Sequence, residues 1–205
     1  MAGALLAIWG DVLPEAETEH LHWLLREHTA ERLGVPGFLA VRVLRSAPGR
    51  TLILYELADA AVLSSPAYLA RLDAPTPWSR RIMPMLRGFA RGGGPVVAAL
   101  GAGQGGCVLA WRLDAAPAAA LPDALLEEDR VCALRLMVVD RAGSGLPTTE
   151  KALRGGDAPF TALLLLEGTD AAALRQAAAR HGEALRALGA TGEGTAHATV
   201  FAMRA

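Results

Sequence analysis

The sequence predicts an α+β fold in which two tandem βαββαβ units pack sheet to sheet as one pseudo-symmetric α/β barrel. Two pairs of similar sequence stretches indicate a duplication. The apolar run 5–9, which ends in a tryptophan, returns at 107–111, and the motif Asp-Ala-Ala-x-Leu at 59–63 returns at 170–174. A repeat of roughly 100 residues is too long for a solenoid and suits a doubled small domain.

The first repeat, residues 1–104, carries the signals for four strands and several helices. Apolar or alternating runs predict the strands, and acidic residues after Pro14, followed by an apolar stripe that stops at Gly34, predict a long helix. Pro84 kinks the last helix or marks a first turn, and the glycines at 92–94 end it. The predicted elements are strand 4–10, helix 14–33, strands 38–45 and 51–57, short helices 59–63 and 67–72, helix 79–91 and strand 96–100.

The second repeat, residues 105–205, follows the same order. The order βαββαβ is that of the ferredoxin-like, or split βαβ, unit, whose sheet carries helices on one face only. The other face is apolar and needs cover, which a second unit supplies, leaving a natural ligand cavity between the sheets. The predicted elements are strand 108–113, helix 117–128, strand 131–139, loop 141–158, strand 160–167, helix 171–188 and strand 195–203.

Composition excludes several classes of function. Apolar residues make up 52% of the chain and the formal net charge is −1, so the chain lacks the basic character of a protein that binds nucleic acid or an anionic membrane. Two cysteines without zinc-site spacing, Cys107 and Cys132, argue against a disulfide framework or a metal site and favour buried thiols. Because the N-terminus lacks the basic region of a signal peptide and no apolar run is long enough to span a bilayer, we expect a cytoplasmic protein.

One stretch resembles a known family. Within 23–38 the helix carries a Glu-His pair, Glu27 and His28, and the sequence Pro36-Gly37 follows it. This stretch is similar to EthD-like proteins of the dimeric α/β-barrel superfamily, here in a tandem, single-chain form. The resemblance implies a protein that needs no cofactor. Because the internal repeat would do what dimerisation does in single-unit relatives, the chain is either a monomer or a homodimer.

His28 is the candidate catalytic residue. Its spacing from Leu21, Leu24 and Leu25 follows the i, i+3, i+4, i+7 pattern of one helix face, which turns the ring toward the sheet. A partly buried imidazole with a near-neutral pKa serves as a general acid or base. Relatives that isomerise or cyclise small metabolites without a cofactor use histidines in such cavities. The alternative is a core histidine that is hydrogen-bonded to a strand carbonyl or to a carboxylate.

Six further residues are candidates for ligand contact. Side chains alternate along a strand, so Tyr55 and Glu56 point to opposite faces, and Tyr55 either offers its hydroxyl to a ligand or packs in the core. The loop 75–81 has no equivalent in the second repeat. It forms a lid or an anion contact, or it is a surface elbow in which the tryptophan fills a hydrophobic gap. We expect His20 and His22 to be exposed on the long helix. The ligand-contact candidates are Trp9, Asp11, Trp23, Tyr55, Trp78 and Arg81.

These features predict a cofactor-independent enzyme, of isomerase, cyclase or monooxygenase type, that acts on a small and mostly apolar metabolite. The alternative is a non-catalytic small-molecule binding or accessory protein with the same fold. An open, polar cavity that His28 reaches favours the enzyme, and a barrel filled by Leu, Val and Phe favours the alternative. Because residues 127–130 replace the Glu-His pair in the second repeat, we expect one asymmetric site, built within residues 9–81.

Overall fold

The computed structural model describes residues 3–205 and confirms the α+β class, with helices beside strands that pair antiparallel. The chain divides into two compact units, each with its own hydrophobic core. The first unit comprises 3–95, 140–159 and 200–205, and the second comprises 96–139 and 160–199. The predicted repeat boundary at 104/105 stays a prediction.

Four strands form the sheet of the first unit: β1 (Ala4–Asp11), β2 (Phe38–Ala47), β3 (Arg50–Leu57) and β4 (Arg87–Leu100), the last of which continues into the second unit from Val96. β1 pairs with β3 and with the first part of β4, and β2 pairs with β3. Alternate residues, such as Leu6 and Ile8 on β1 and Ile53 and Tyr55 on β3, join the core of this unit. This period of two is that of a strand with one face in the core.

The connection from β1 to β2 is one continuous helical run, as predicted for 14–33. A 3₁₀ turn (Pro14–Ala16) leads into α1 (Glu17–Trp23), a π-helical turn (Leu24–His28) follows, and α2 (Thr29–Leu33) ends the run before Gly34. Proline at the first position and acids in the first turns favour this start. The π turn has no counterpart in the sequence prediction, and it determines which side chains of the run meet.

Short helices follow β3, and each starts at a side-chain cap. A 3₁₀ turn (Ala60–Ser64), α3 (Pro66–Asp73) and α4 (Pro77–Ile82) begin after Asp59, Ser65 and Thr76, whose side chains accept hydrogen bonds from backbone N–H groups of the first turn. Such caps satisfy donors that have no partner inside the helix. The predicted helices at 59–63 and 67–72 are therefore confirmed within a few residues.

The predicted helix 79–91 is wrong in its second half. Helical structure ends with a 3₁₀ turn (Met83–Met85), and β4 runs through the glycines that were expected to end the helix. A Cβ added to Gly93 would lie 2.6 Å from Leu63 Cδ1 and 3.1 Å from the carbonyl oxygen of Leu5. Gly93 thus marks a close approach inside a strand, which is a recognised role of strand glycines.

The second unit has its own antiparallel sheet, made of β5 (Cys107–Leu113), β6 (Val131–Val138), β7 (Ala162–Gly168), the first part of β8 (Thr195–Arg204) and the end of β4. β5 lies between β7 and β8, and β6 pairs with β7 and β4. The predicted helix 117–128 is wrong, because only a 3₁₀ turn (Asp123–Glu127) forms there. Pro122 has no N–H and disfavours helical geometry at the residue before it, which breaks the expected helix.

Two helices cover this second sheet. They are α7 (Ala171–Arg180) and α8 (Gly182–Ala187), and His181 lies between them with φ −101° and ψ 21°. The predicted helix 171–188 is therefore confirmed as helical structure with one break. Cys107 and Cys132 form no disulfide among the described residues, and both are only half-buried, which is less burial than the sequence predicted.

The predicted loop 141–158 contains two short helices, α5 (Arg141–Ser144) and α6 (Thr149–Leu153). This segment belongs to the first unit, although it lies between two strands of the second. The backbone N–H of Thr149 donates to Asp73 Oδ1 over 2.9 Å, which ties α6 to the end of α3. Within the described range 3–205, no helix combines the length and the apolar character that crossing a membrane requires.

Candidate functional site

A narrow cavity lies inside the first unit, and His28 is in its wall. The volume open to the centre of a water molecule is about 30 Å³. Because one water requires about 10–15 Å³ of such volume, the cavity holds about two waters. Its lining is partly apolar and partly polar. The apolar lining is Ile8, Gly10, Trp23, Ile53, Leu72, Met83, Leu86 and Phe89, and the polar lining is His20, His28, Arg32, Tyr68, Arg91, Glu150 and Arg154.

His28 is 4% exposed, and its Nδ1 atom has no hydrogen-bond partner among residues 3–205. Burial is the largest cause that holds the pKa of His28 well below its ordinary value of 6.5, and the nearby charges of Arg32, His20 and Arg154 act in the same direction. The imidazole is therefore neutral at physiological pH. A neutral ring with a free nitrogen is a group that can accept a proton or hydrogen-bond a ligand.

The π turn brings Trp23 and His28 together. In a regular α-helix, residues five apart point about 140° away from each other. With the extra residue of the π turn, the two rings lie on one side of the run, with centroids 4.2 Å apart and planes inclined by 32°. Single π turns inside helices occur often at functional sites. Trp23 and His28 are the two predicted site residues that the structure places in one cavity wall.

A hydrogen bond to the start of α4 fixes the position of the Trp23 ring. Its indole Nε1–H donates to Ser79 Oγ over 3.1 Å, and the backbone N–H of Ser79 donates to Thr76 Oγ1 over 2.9 Å at the start of α4. Because Trp23 is buried and its polar atom is satisfied, the ring offers a fixed flat surface to the cavity.

His20 is a second histidine of the wall, and the prediction that it is exposed is wrong. It is 2% exposed, its ring centroid is 5.9 Å from that of Trp23, and its Nδ1 atom also has no hydrogen-bond partner among the described residues. The buried face at the start of this helical run follows Ala16, His20 and Trp23. The sequence prediction had instead placed the buried face at Leu21 and Leu25. Burial lowers the pKa of His20 from 6.5 to about 4, so this imidazole is neutral too.

The polar lining of the cavity includes three arginines, Arg32, Arg91 and Arg154. Arg32, which is 2% exposed, forms ion pairs with Glu150 of α6 and with Glu31. Arg91 donates to the Tyr68 hydroxyl over 3.1 Å.

Arg154 is the third arginine of the cavity lining. Its Nε–H donates to Asp157 over 2.9 Å while its guanidinium lies 4.4 Å from the centroid of the Phe89 ring. Three guanidinium groups and a single carboxylate, that of Glu150, thus line the cavity, while Glu31 and Asp157, which pair with Arg32 and Arg154, lie outside the lining. Guanidinium N–H groups are donors suited to an anionic oxygen. Glu150 and Arg154 come from the segment that the sequence predicted as a loop.

Tyr55, Trp9 and Asp11 lie on the strands of the first unit but not in the cavity lining. Tyr55 is completely buried and packs edge to face on Phe38, with centroids 5.4 Å apart, and burial raises its pKa. These contacts are those of the core-packing alternative. At the end of β1, the Oδ2 atom of Asp11 lies 4.0 Å from Nε of Arg50.

Trp78 and Arg81 also lie outside the lining, on an elbow that is fastened to α1. Both donate to Glu19 Oε1, Trp78 over 2.9 Å and Arg81 over 3.0 Å, and Thr76 Oγ1 donates to Glu27 over 2.6 Å. The hydrogen bonds from Arg81 and Trp78 lower the pKa of Glu19. These contacts describe a surface elbow, and a lid role for this loop stays a prediction. Among residues 3–205, no group of three or more His, Cys, Asp or Glu side chains is placed to hold a metal ion.

Comparison with known proteins shows the fold. No protein-family model and no curated protein sequence matches the chain. A proposed monooxygenase from Fusobacterium nucleatum superposes with a TM-score of 0.57 at 12% identity, covering 99% of this chain and 95% of that one. An anthrone oxidase-like protein gives 0.61 at 12% identity, with 99% and 93% covered, and a proposed monooxygenase from Lactobacillus acidophilus gives 0.51 at 7%, with 99% of each chain covered. At these identities the chain shares an α+β fold with proteins of this kind.

Proposed function

We propose that this chain is a cofactor-independent, monooxygenase-type enzyme for a small, mostly apolar metabolite, with His28 as its general base. The observation that carries the proposal is a buried, neutral His28 whose Nδ1 atom has no hydrogen-bond partner among the described residues, in a cavity whose lining also contains three arginines. The names of the proteins that share the fold favour oxygenation over isomerisation or cyclisation.

The chemistry of the cavity limits the substrate class. A base whose pKa is depressed removes only an acidic proton, so the substrate needs a CH₂ group activated by a carbonyl or an aromatic system. His28 takes that proton, and the electron pair left on the substrate is stabilised by the guanidinium groups of Arg91 and Arg154. The imidazolium formed also attracts the new anion, which offsets part of the cost of charging a buried ring.

Dioxygen is the oxidant in this scheme. The substrate anion transfers electrons to O₂, a carbon–oxygen bond forms, and cleavage of the O–O bond leaves a carbonyl. One oxygen atom enters the product and the other leaves as water with the two hydrogens of the CH₂ group, so no external reductant is needed. His28 returns its proton to the departing oxygen.

The experiment compares oxygen consumption by the wild type with that of two single variants, His28→Gln and His22→Gln. The probes are pentane-2,4-dione and anthrone, two compounds of different size whose CH₂ protons are acidic. We expect turnover with at least one probe, a loss of about a hundredfold or more in His28→Gln, and little change in His22→Gln, which alters a half-buried histidine of the same helix outside the cavity lining. Equal rates in all three proteins would contradict a base role for His28.

A second candidate is a binding or accessory protein without chemistry, and the size of the cavity favours it. A free volume of about two waters means that the side chains of the apolar wall must move before a metabolite enters. On this alternative, a probe binds without consumption of oxygen, and the binding weakens in His28→Gln. Oxygen consumption above the buffer rate distinguishes the enzyme from the accessory protein.

We also propose that the two units are tandem EthD-like repeats of an α/β barrel, with one catalytic site, which lies in the first unit. The pairing order β1-β3-β2 of the first unit matches the order β5-β7-β6 of the second, which supports a duplication. Light scattering after gel filtration tests whether the chain is a monomer or a homodimer.

A further inference from the structure

We propose that the second unit contains a separate binding site for a small aromatic carboxylate. A cavity of about 350 Å³ lies between Trp111 of β5, the helices α7 and α8, and the loop 190–193. This volume falls within the range of small-ligand sites, about 300–1,000 Å³. The proposed His28 chemistry uses none of these residues, so the two proposals stand or fall separately.

A fixed indole forms the floor of this cavity. Trp111 is 4% exposed, and its Nε1–H points to the carbonyl oxygen of Gly192 over 3.4 Å. The loop passes so close that a Cβ on Gly194 would lie 2.5 Å from the indole. A rigid indole in the wall of a cavity is a group against which a flat apolar ring packs.

Several helical residues that line the cavity have small side chains, which leaves free space next to the indole. Arg175, Ala178, Ala179 and Gly182 follow the i, i+3, i+4, i+7 pattern, and all of them line the cavity. Their side chains beyond Arg175 are at most a methyl group. The guanidinium of Arg186 reaches back over this gap, since its Nη1 atom lies 3.3 Å from the place where a Cβ on Gly182 would be. A methyl group at Gly182 would therefore be in tight contact with that guanidinium.

The charged side chains that line this cavity favour a negatively charged ligand. No ion pair or hydrogen bond with a residue of the described chain engages the side chains of Arg175 and Arg186, whereas Arg180 on the same helix is paired with Glu128. Glu193 is the one acidic residue of the lining. Two free guanidinium groups beside an indole match a carboxylate on a flat ring, because guanidinium binds carboxylate through paired hydrogen bonds and the ring covers the indole.

The test follows the indole N–H signals of the protein by ¹H–¹⁵N NMR while benzoate is added, with Trp111→Phe to assign the Trp111 signal. We expect that signal to move with a saturable, millimolar affinity, because both guanidinium groups are exposed and water screens them. The uncharged isostere benzamide should bind at least several-fold more weakly. In the double variant Arg175→Gln/Arg186→Gln we expect the benzoate affinity to fall about tenfold.

The matched control is Arg80→Gln, which removes an exposed arginine of the first unit and should leave benzoate binding unchanged. An absent or non-saturable shift at Trp111 would overturn the proposal, as would equal binding of benzoate and benzamide. Benzoate affinity that survives the double variant would overturn it too. None of these outcomes bears on oxygen consumption through His28, so failure here leaves the proposed function to its own test.

Discussion

Acidification from pH 7 to pH 5 should destabilise this protein through its buried histidines. Burial lowers the pKa of His20 and of His197 from 6.5 to about 4, and it lowers that of His28 further in the same direction. In the unfolded chain these rings regain their ordinary pKa and bind protons below about pH 6.5. The unfolded state therefore binds more protons than the folded one, so the stabilisation is complete above pH 6.5 and is lost as the pH falls toward 4.

The size of this effect follows from the two pKa values. Between pH 7 and pH 5 an unfolded histidine becomes almost fully protonated while a folded ring with a pKa of about 4 stays mostly neutral. Each of His20 and His197 then costs about 2 kcal/mol of unfolding free energy over this interval. Hydrogen bonds from Arg180 and His181 lower the pKa of Glu128 to about 2, so this carboxylate affects stability mainly below pH 5.

Urea unfolding at pH 7 and pH 5, followed by far-ultraviolet circular dichroism, measures the difference. We expect His20→Gln and His197→Gln each to reduce the pH-dependent loss by about 2 kcal/mol, whatever their effect at pH 7. Gly106→Ala, which changes no titratable group and has nothing within 4 Å of the added methyl, should keep the wild-type dependence. A wild-type protein equally stable at both pH values, or a His20→Gln variant with an unchanged pH dependence, would refute the assignment of His20 as a buried, neutral ring.

Two further substitutions test the packing of the first unit. Trp23→Phe removes the donor to the buried Ser79 hydroxyl and should cost about 1–3 kcal/mol in urea unfolding, while a variant as stable as the wild type would contradict that hydrogen bond. Gly93→Ala places a methyl group 2.6 Å from Leu63 and should cost about 1–3 kcal/mol by the same measurement, whereas Gly106→Ala, with nothing within 4 Å, serves as the control and should change stability little. Equal stability of the two alanine variants would contradict the close approach at Gly93.

The strands were predictable because their signal is local. Apolar runs bounded by turn residues placed β1, β3 and β7 within a few residues of their observed bounds. The first helical run was predictable for a similar reason, since its acidic start and Gly34 at its end act within one turn. Each of these signals depends on neighbouring residues in the chain alone.

The composition of the cavity wall was less predictable because it depends on distant contacts. A hydrophobic pattern read at 100° per residue cannot reveal the π turn at Leu24–His28, so the pairing of Trp23 with His28 and the burial of His20 escaped it. Gly93 looked like a helix stop, because the crowding by Leu63 that requires a glycine is tertiary.

The contribution of α6 to the cavity was invisible for another reason. Glu150 and Arg154 lie in a segment rich in Gly, Thr and Pro, between two strands of the second unit. Nothing in that composition indicates that Glu150 is buried against Arg32, which is 118 positions away in the sequence. Long-range ion pairs of this kind carry no periodic signal along the chain.

The ring nitrogens of His28, observed by long-range ¹H–¹⁵N NMR between pH 7.5 and pH 5, report its charge directly. We predict the shifts of a neutral imidazole throughout, in one tautomer, with a change when an acidic ligand such as pentane-2,4-dione is added. A His28 ring that titrates with an ordinary pKa near 6.5, or that does not respond to any acidic ligand, would contradict a buried base facing the cavity.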